Sequence, residues 1–201
     1  MSRAALPSSR RAEHFMAMPA ITDPVTTIDQ LLALPYDGQR HELLDGVYAV
    51  TPAPQALHQR VIMALIRVLD PVCMGREDVE LFMSPADVIL TPRTLVQPDL
   101  FIVRKTPGKP LRAWSEIGIP LLAIEILSPS TAARDRGVKR RIYQATGISE
   151  YWIVDLDARL IERWAPGDQR PEVLAGTFAW TLPGGASGVL DVAALFATLD
   201  R

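Results

Sequence analysis

The spacing of apolar residues changes several times along this chain, and each change marks an element. Residues 40–44 and 47–50 alternate apolar and polar around the pair Asp45-Gly46, which predicts a β-hairpin. After the breakers Pro52 and Pro54 the period lengthens. Val61, Ile62, Leu65, Val68 and Leu69 recur at threes and fours, the buried stripe of a helix over about 55–72. Short strands are predicted at 79–83 and 87–90, with Pro85 between them. Pro98 opens an extended run through Val103, as suits proline at the first residue of a strand. Residues 119–127 are apolar almost throughout, which predicts a strand covered on both faces. Ser128-Pro129-Ser130-Thr131 stops that strand and caps a helix to about residue 146, with Gly147 as its exit. Strands at 150–155 and 159–164 follow, then short strands around Gly184-Gly185 and a terminal helix near 192–199.

Upstream, Thr27-Ile28-Asp29-Gln30 reads as a capping box for a short helix that Pro35 closes. Residues 1–24 carry no period and are read as a flexible N-terminal tail, with 25–201 as one domain. Strands, a helix and strands again predict an α/β (mixed α+β) fold in which helices flank a central mixed sheet.

Composition narrows the function more than the fold. A chain of 201 residues with 48% hydrophobic content builds a substantial core. The single cysteine, Cys73, excludes an internal disulfide and a cysteine-rich zinc site, and its usage fits a reducing, cytoplasmic setting. No apolar run is long enough to span a membrane; the best, 117–127, contains Glu125. Arg3, Arg10 and Arg11 are not followed by a continuous apolar stretch, so no secretory leader is expected. A net charge of −2 argues against wholesale coating of nucleic acid. Phosphate contacts would have to come from local clusters such as Arg104, Lys105, Lys109 and Arg112, or Arg134, Arg136, Lys139, Arg140 and Arg141.

Three residues stand out against their surroundings. Period two along 121–127 puts Leu122, Ile124 and Ile126 on one face and Glu125 with Leu121, Ala123 and Leu127 on the other. A carboxylate so placed loses hydration and needs a cation or donors. Asp99 opens the apolar run 100–103, although aspartate is a poor strand former. Two such acids on separate strands could converge on one hard cation. Lys139 stands one turn after Asp135 and one turn before Tyr143, beside an expected buried stripe of Val138, Ile142 and Ala145, so its amine could reach along the sheet edge. Alternatively it pairs with Asp135 at the surface. His58 lies in line with the stripe of its helix and faces inward. His14 and His41 show no partner spacing, and the four tryptophans, 114, 152, 164 and 180, are read as core.

An ordered series of segments carries a resemblance: His41 to Gly46, His58, Gln97 to Leu100, Ala123 to Thr131, Arg134-Asp135-Arg136, Lys139, Tyr143, Gly147 and Glu150 to Asp155. From about Thr27 to Phe196 the chain resembles the Uma-type restriction endonucleases of the PD-(D/E)XK nuclease superfamily. The superfamily motif puts lysine two residues after the second acid, where this chain has Leu127. In this family's pattern the lysine comes from the following helix, which points to Lys139.

The resemblance implies a restriction-endonuclease-like sheet and a metal-dependent endonuclease acting on DNA. It implies Asp99, Glu125 and Lys139 as the catalytic set, with Mg²⁺ or Mn²⁺ on Asp99 and Glu125 and with Glu42 as a further metal ligand. His58, Arg134 and Arg136 are candidate substrate contacts. A homodimer is expected, because two-fold symmetry suits cutting two strands. The competing expectation is a catalytically silent nuclease fold serving as a binding or assembly module, which the acidic balance and the apolar residue at 127 favour. No Gly-x-Ser-x-Gly elbow or phosphate-binding glycine loop supports an unrelated hydrolase.

Overall fold

A computed structural model describes residues 24–200. Nearly all of the expected tail therefore lies outside the described residues. In chain order the elements are helix α1 (Ile28–Leu32), strands β1 (Arg40–Leu44) and β2 (Val47–Thr51), helix α2 (Ala56–Met74), and strands β3 (Val79–Met83), β4 (Val88–Thr91), β5 (Thr94–Val96), β6 (Leu100–Arg104) and β7 (Leu122–Ile126). Helical segments α3 (Ala132–Arg134) and α4 (Arg140–Ala145) come next, joined by a wide π turn at Asp135–Lys139. Strands β8 (Glu150–Asp155), β9 (Leu160–Trp164), β10 (Glu172–Leu174), β11 (Thr177–Thr181) and β12 (Ser187–Asp191) precede helix α5 (Val192–Ala197).

The strands form a six-stranded sheet in the order β10-β9-β8-β7-β6-β3, a four-stranded sheet in the order β2-β1-β5-β4, and the ribbon β11-β12. Among the described residues only β7 and β8 pair in parallel, and the crossover joining them is the segment that carries the π turn. The predicted β1–β2 hairpin forms in the expected register, Leu44 against Val47. Its turn residues Asp45 and Gly46 have φ of 52° and 80°, the left-handed pair that matches the twist of a two-residue hairpin. Thr27 and Gln30 make the predicted capping box.

Two cores lie on opposite faces of the large sheet. Against one face pack Leu122, Ile124 and Ile126 with the α2 stripe of Val61, Ile62, Leu65 and Leu69, under α5 and Trp180. Each such fully buried aliphatic side chain contributes about 1.5–3 kcal/mol relative to exposure. On the other face Phe101, Val103, Ala123 and Ile153 meet Tyr143 of α4 and Val88 and Val96 of the smaller sheet. Glu125 points to this second face, so a carboxylate is enclosed between the two sheets and the crossover.

Several expectations change. Strand β5 falls within a stretch given no element, too short to show a period; Leu43 of β1 pairs with its Leu95 and so joins the hairpin to β4. The strand expected over 119–127 starts only at Leu122, and Leu121 packs with the opposite face from Glu125. The stripe Val138, Ile142 and Ala145 is not the buried face of the crossover. Val138 and Ala145 are exposed, while Asp135, Lys139 and Tyr143, spaced by four, turn inward. Burying that polar ridge is tolerable because acids from β1 and β7 face it. Trp152, Trp164 and Trp180 are buried as expected, but Trp114 is 42% exposed and sits edge-on to Phe82.

Candidate active site

The site begins with strand alternation. On β1, Arg40 and Glu42 share a face; on β7, Glu125 is flanked in sequence by residues of the opposite core. Strand β6 pairs antiparallel with β7, Leu100 opposite Ile124, and one further step along that register sets Asp99 across from Glu125. Directly opposed residues of this kind carry Cβ atoms about 4.5–5.5 Å apart on one face. The crossover then lowers Asp135, Lys139 and Tyr143 onto the same spot.

Lys139 Nζ lies 2.7 Å from Glu125 Oε1, 2.8 Å from Glu42 Oε1 and 4.0 Å from Asp135 Oδ1. The surface pairing with Asp135 is thus replaced by a buried four-membered cluster. Tyr143 donates its hydroxyl to Glu125 Oε1 at 2.9 Å, and the Gln97 N–H donates to Glu42 Oε1 at 2.8 Å. Asp99 is held separately. Arg40 Nη1 approaches its Oδ1 to 2.5 Å, His58 Nε2 stands 3.1 Å from the same oxygen, and the Ile126 N–H donates to Oδ2 at 2.8 Å. The side chains of Glu42, Asp99, Glu125, Asp135 and Lys139 are each only about 2% exposed or less.

The electrostatics follow from these neighbours. Burial pushes the Glu125 carboxyl up to about 8; Lys139 opposes the shift, and Asp135, Asp99 and Glu42 reinforce it. Burial also favours the neutral form of Asp99, but His58, Arg40 and the Ile126 N–H outweigh it and hold this acid below its ordinary value. Lys139 resists burial because Glu125, Glu42 and Asp135 surround it, and its amine is held above the usual range. Adjacent acids pushed in opposite directions are the arrangement from which acid and base roles are assigned.

Does this donor set suit a divalent cation? Among the described residues no group of three or more acidic, histidine or cysteine side chains converges as a ready-made ion site. The sequence-derived trio of Asp99, Glu125 and Glu42 is therefore not assembled as one cage. Lys139 stands between Glu42 and Glu125, and Arg40 covers Asp99. A smaller set does fit. Magnesium commonly takes one or two carboxylates and keeps several waters. Both hydrogen bonds to Glu125 fall on Oε1, and Glu125 lines a cavity of about 430 Å³ shared with Arg40, His58, Asp135, Arg136 and Lys139. Glu42 Oε2 is buried without a hydrogen-bond partner, and Arg134 Nη1 stands 3.8 Å from it.

The remaining sequence candidates separate. Arg134 donates to Thr51 Oγ1 at 3.1 Å behind Glu42, whereas Arg136 bridges Asp155 and Glu162 at the cavity wall. His58 is buried, as its helix register predicted. His41, given no partner from spacing, links Asp37 at 2.8 Å to Tyr48 at 2.7 Å. Arg40 and Tyr143 were not singled out for the site. Arg40 was legible in one respect, since it sits two residues before Glu42 on the same strand face.

The family model described as "Uma2: Putative restriction endonuclease" matches residues 28–192. The fold is similar to a solved "putative nuclease belonging to DUF820" from Anabaena variabilis, with a TM-score of 0.68 and 21% identity over 86% of this chain and 98% of that one. No curated protein matches the chain. Among the described residues no helix is long and apolar enough to cross a membrane.

Proposed function

The chain belongs to the Uma2 family, and from that premise we propose that it is a metal-dependent endonuclease that hydrolyses phosphodiester bonds of DNA. The observation that carries this reading is the Lys139 amine buried between Glu125 and Glu42, with Asp99 just ahead of the neighbouring strand and bonded to the Ile126 N–H. Buried charge of this density is costly to keep for packing alone.

Asp99 and Glu125 would hold a Mg²⁺ or Mn²⁺ ion. Once bound, the ion would supply Lewis-acid polarisation of the phosphodiester and a bound water of lowered pKa. Lys139 orients the attacking water or offsets charge on the phosphoryl oxygens, from an amine that stays protonated. Glu42 and Tyr143 position that amine and Glu125. His58 and Arg40 keep Asp99 ionised, ready as an oxygen donor. The buried, unpaired Cys73 suits a cytoplasmic protein. A binding module without catalysis is the second reading, favoured by the way Arg40 and His58 already occupy Asp99 Oδ1.

The test is nicking of supercoiled plasmid by purified protein in Mg²⁺ or Mn²⁺. Wild type is expected to nick, and Asp99→Asn to lose the activity. Equal activity in both would mark a contaminant, and inactivity of the wild type would leave the second reading.

Metal binding should also report on Glu125. To accept a divalent cation this carboxyl must give up a proton that it holds below about pH 8. Affinity for Mn²⁺ is therefore expected to rise about tenfold for each pH unit below that value and to level off above it. Titration calorimetry at pH 6.5 in buffers of different ionisation enthalpy measures the released proton. Identical heats in all buffers would place the ion elsewhere.

A further inference from the structure

The depth of the site bears on which form of DNA it accepts. Glu125, Asp135 and Lys139 line a cavity of about 430 Å³, the scale of a small-molecule pocket rather than of a duplex cleft. Its rim is built from the 52–55 loop, the 128–131 loop and the 155–157 loop. Duplex DNA is stiff over lengths far greater than this opening. For a duplex phosphate to reach Glu125, those loops would have to enter the grooves and hold the flanking phosphates.

Their chemistry does not suit that task. The 52–55 loop is Pro-Ala-Pro-Gln, and the 155–157 loop contributes Asp155 and Asp157. The arginines that line the opening are already committed, Arg136 to Asp155 and Glu162 and Arg40 to Asp99. Among the described residues lining the opening no arginine is thus free for flanking phosphates, and the net charge of −2 does not favour wholesale binding of a duplex. Part of the lining is apolar: Leu57, 44% exposed and one residue before His58, lines the cavity with Pro54. That wall suits the face of an unstacked base.

We infer that the site takes single-stranded DNA, one unpaired nucleotide at a time, with its base against Leu57 and Pro54 and its phosphate towards Lys139. This rests on the nuclease reading above and deepens it. A single strand needs one active site, so the symmetry argument for a homodimer lapses.

The experiment compares one labelled sequence as a single strand, as a linear blunt duplex, and as a duplex with an unpaired internal bubble, each in Mn²⁺. A paired nucleotide must first be unstacked and flipped, so cleavage of the single strand and the bubble is expected to exceed that of the duplex about 100-fold. Leu57→Glu, at an exposed position, is expected to raise KM for the single strand about tenfold by like-charge repulsion. Binding of the same strands to Glu125→Gln, followed by anisotropy, separates the two readings. Preference for the single strand without cleavage by wild type would support this occupant and end the nuclease reading. Equal or tighter duplex binding, or duplex cleavage as fast as that of the single strand, would overturn the inference whatever the activity.

Discussion

Changing Glu125 to glutamine is expected to lower metal-supported DNA cleavage about a thousandfold, the loss of several kcal/mol of charge stabilisation, while leaving the fold intact. The side chain keeps its shape. Lys139 Nζ at 2.7 Å and Tyr143 Oη at 2.9 Å can still donate to the amide oxygen. Below about pH 8 the wild-type carboxyl already retains its proton, so a neutral amide resembles the resting state. What disappears is the ability to become an anion on demand. Rate constants measured beside a urea melt check both halves. Activity within tenfold of wild type would remove Glu125 from the chemistry, and a collapsed melt would assign it to the core.

Lys139→Met is expected to behave in the opposite way, with stability as the first casualty. Its removal leaves Glu42, Glu125 and Asp135 facing one another at about 2% exposure or less without their shared cation. Breaking a buried pair by deleting one partner costs about 3–5 kcal/mol, a large share of the stability of a domain this size. The sign with pH can be stated. Glu125 has a folded value raised above its unfolded one, so its protonated form stabilises the fold below the ordinary carboxylate range. That contribution is lost as pH rises through about 8. The deficit of Lys139→Met should therefore be larger at pH 8.5 than at pH 6, and adding Glu125→Gln should recover part of it. Urea midpoints for the three proteins at both pH values decide. A midpoint unchanged at pH 8.5 would mean that the amine is not the counter-ion of this cluster.

Much of the site was legible in the chain because carboxylates interrupt apolar runs. Glu125 within 121–127 and Asp99 ahead of 100–103 contradict the burial their neighbours demand. The same alternation that exposed the conflict also fixed which sheet face Glu125 shares. Lys139 could not be settled in this way. A stripe rule assumes that the apolar side of a helix goes inward, yet here the inward ridge is Asp135, Lys139 and Tyr143. That reversal depends on Glu42, a residue of another sheet, and no local pattern encodes a partner so distant. Arg40 was overlooked for the same reason, since its reach to Asp99 bridges 59 positions. Trp114 was placed inside because tryptophan usually is, but it lies in a 3₁₀ turn at the surface.

Carrying the amine on the crossover rather than on β7 has a consequence for how the fold can vary. Position 127, where the superfamily motif would put a lysine, is here a leucine packed in the core, so that position can be tuned for cohesion alone. Positioning the amine falls to the π turn, a one-residue phase slip in an otherwise regular coil. Restoring the ordinary pitch would swing the amine about a quarter-turn around the axis and leave both acids where they stand. The placement of the amine and the placement of Glu125 are thus governed by separate stretches of the polypeptide.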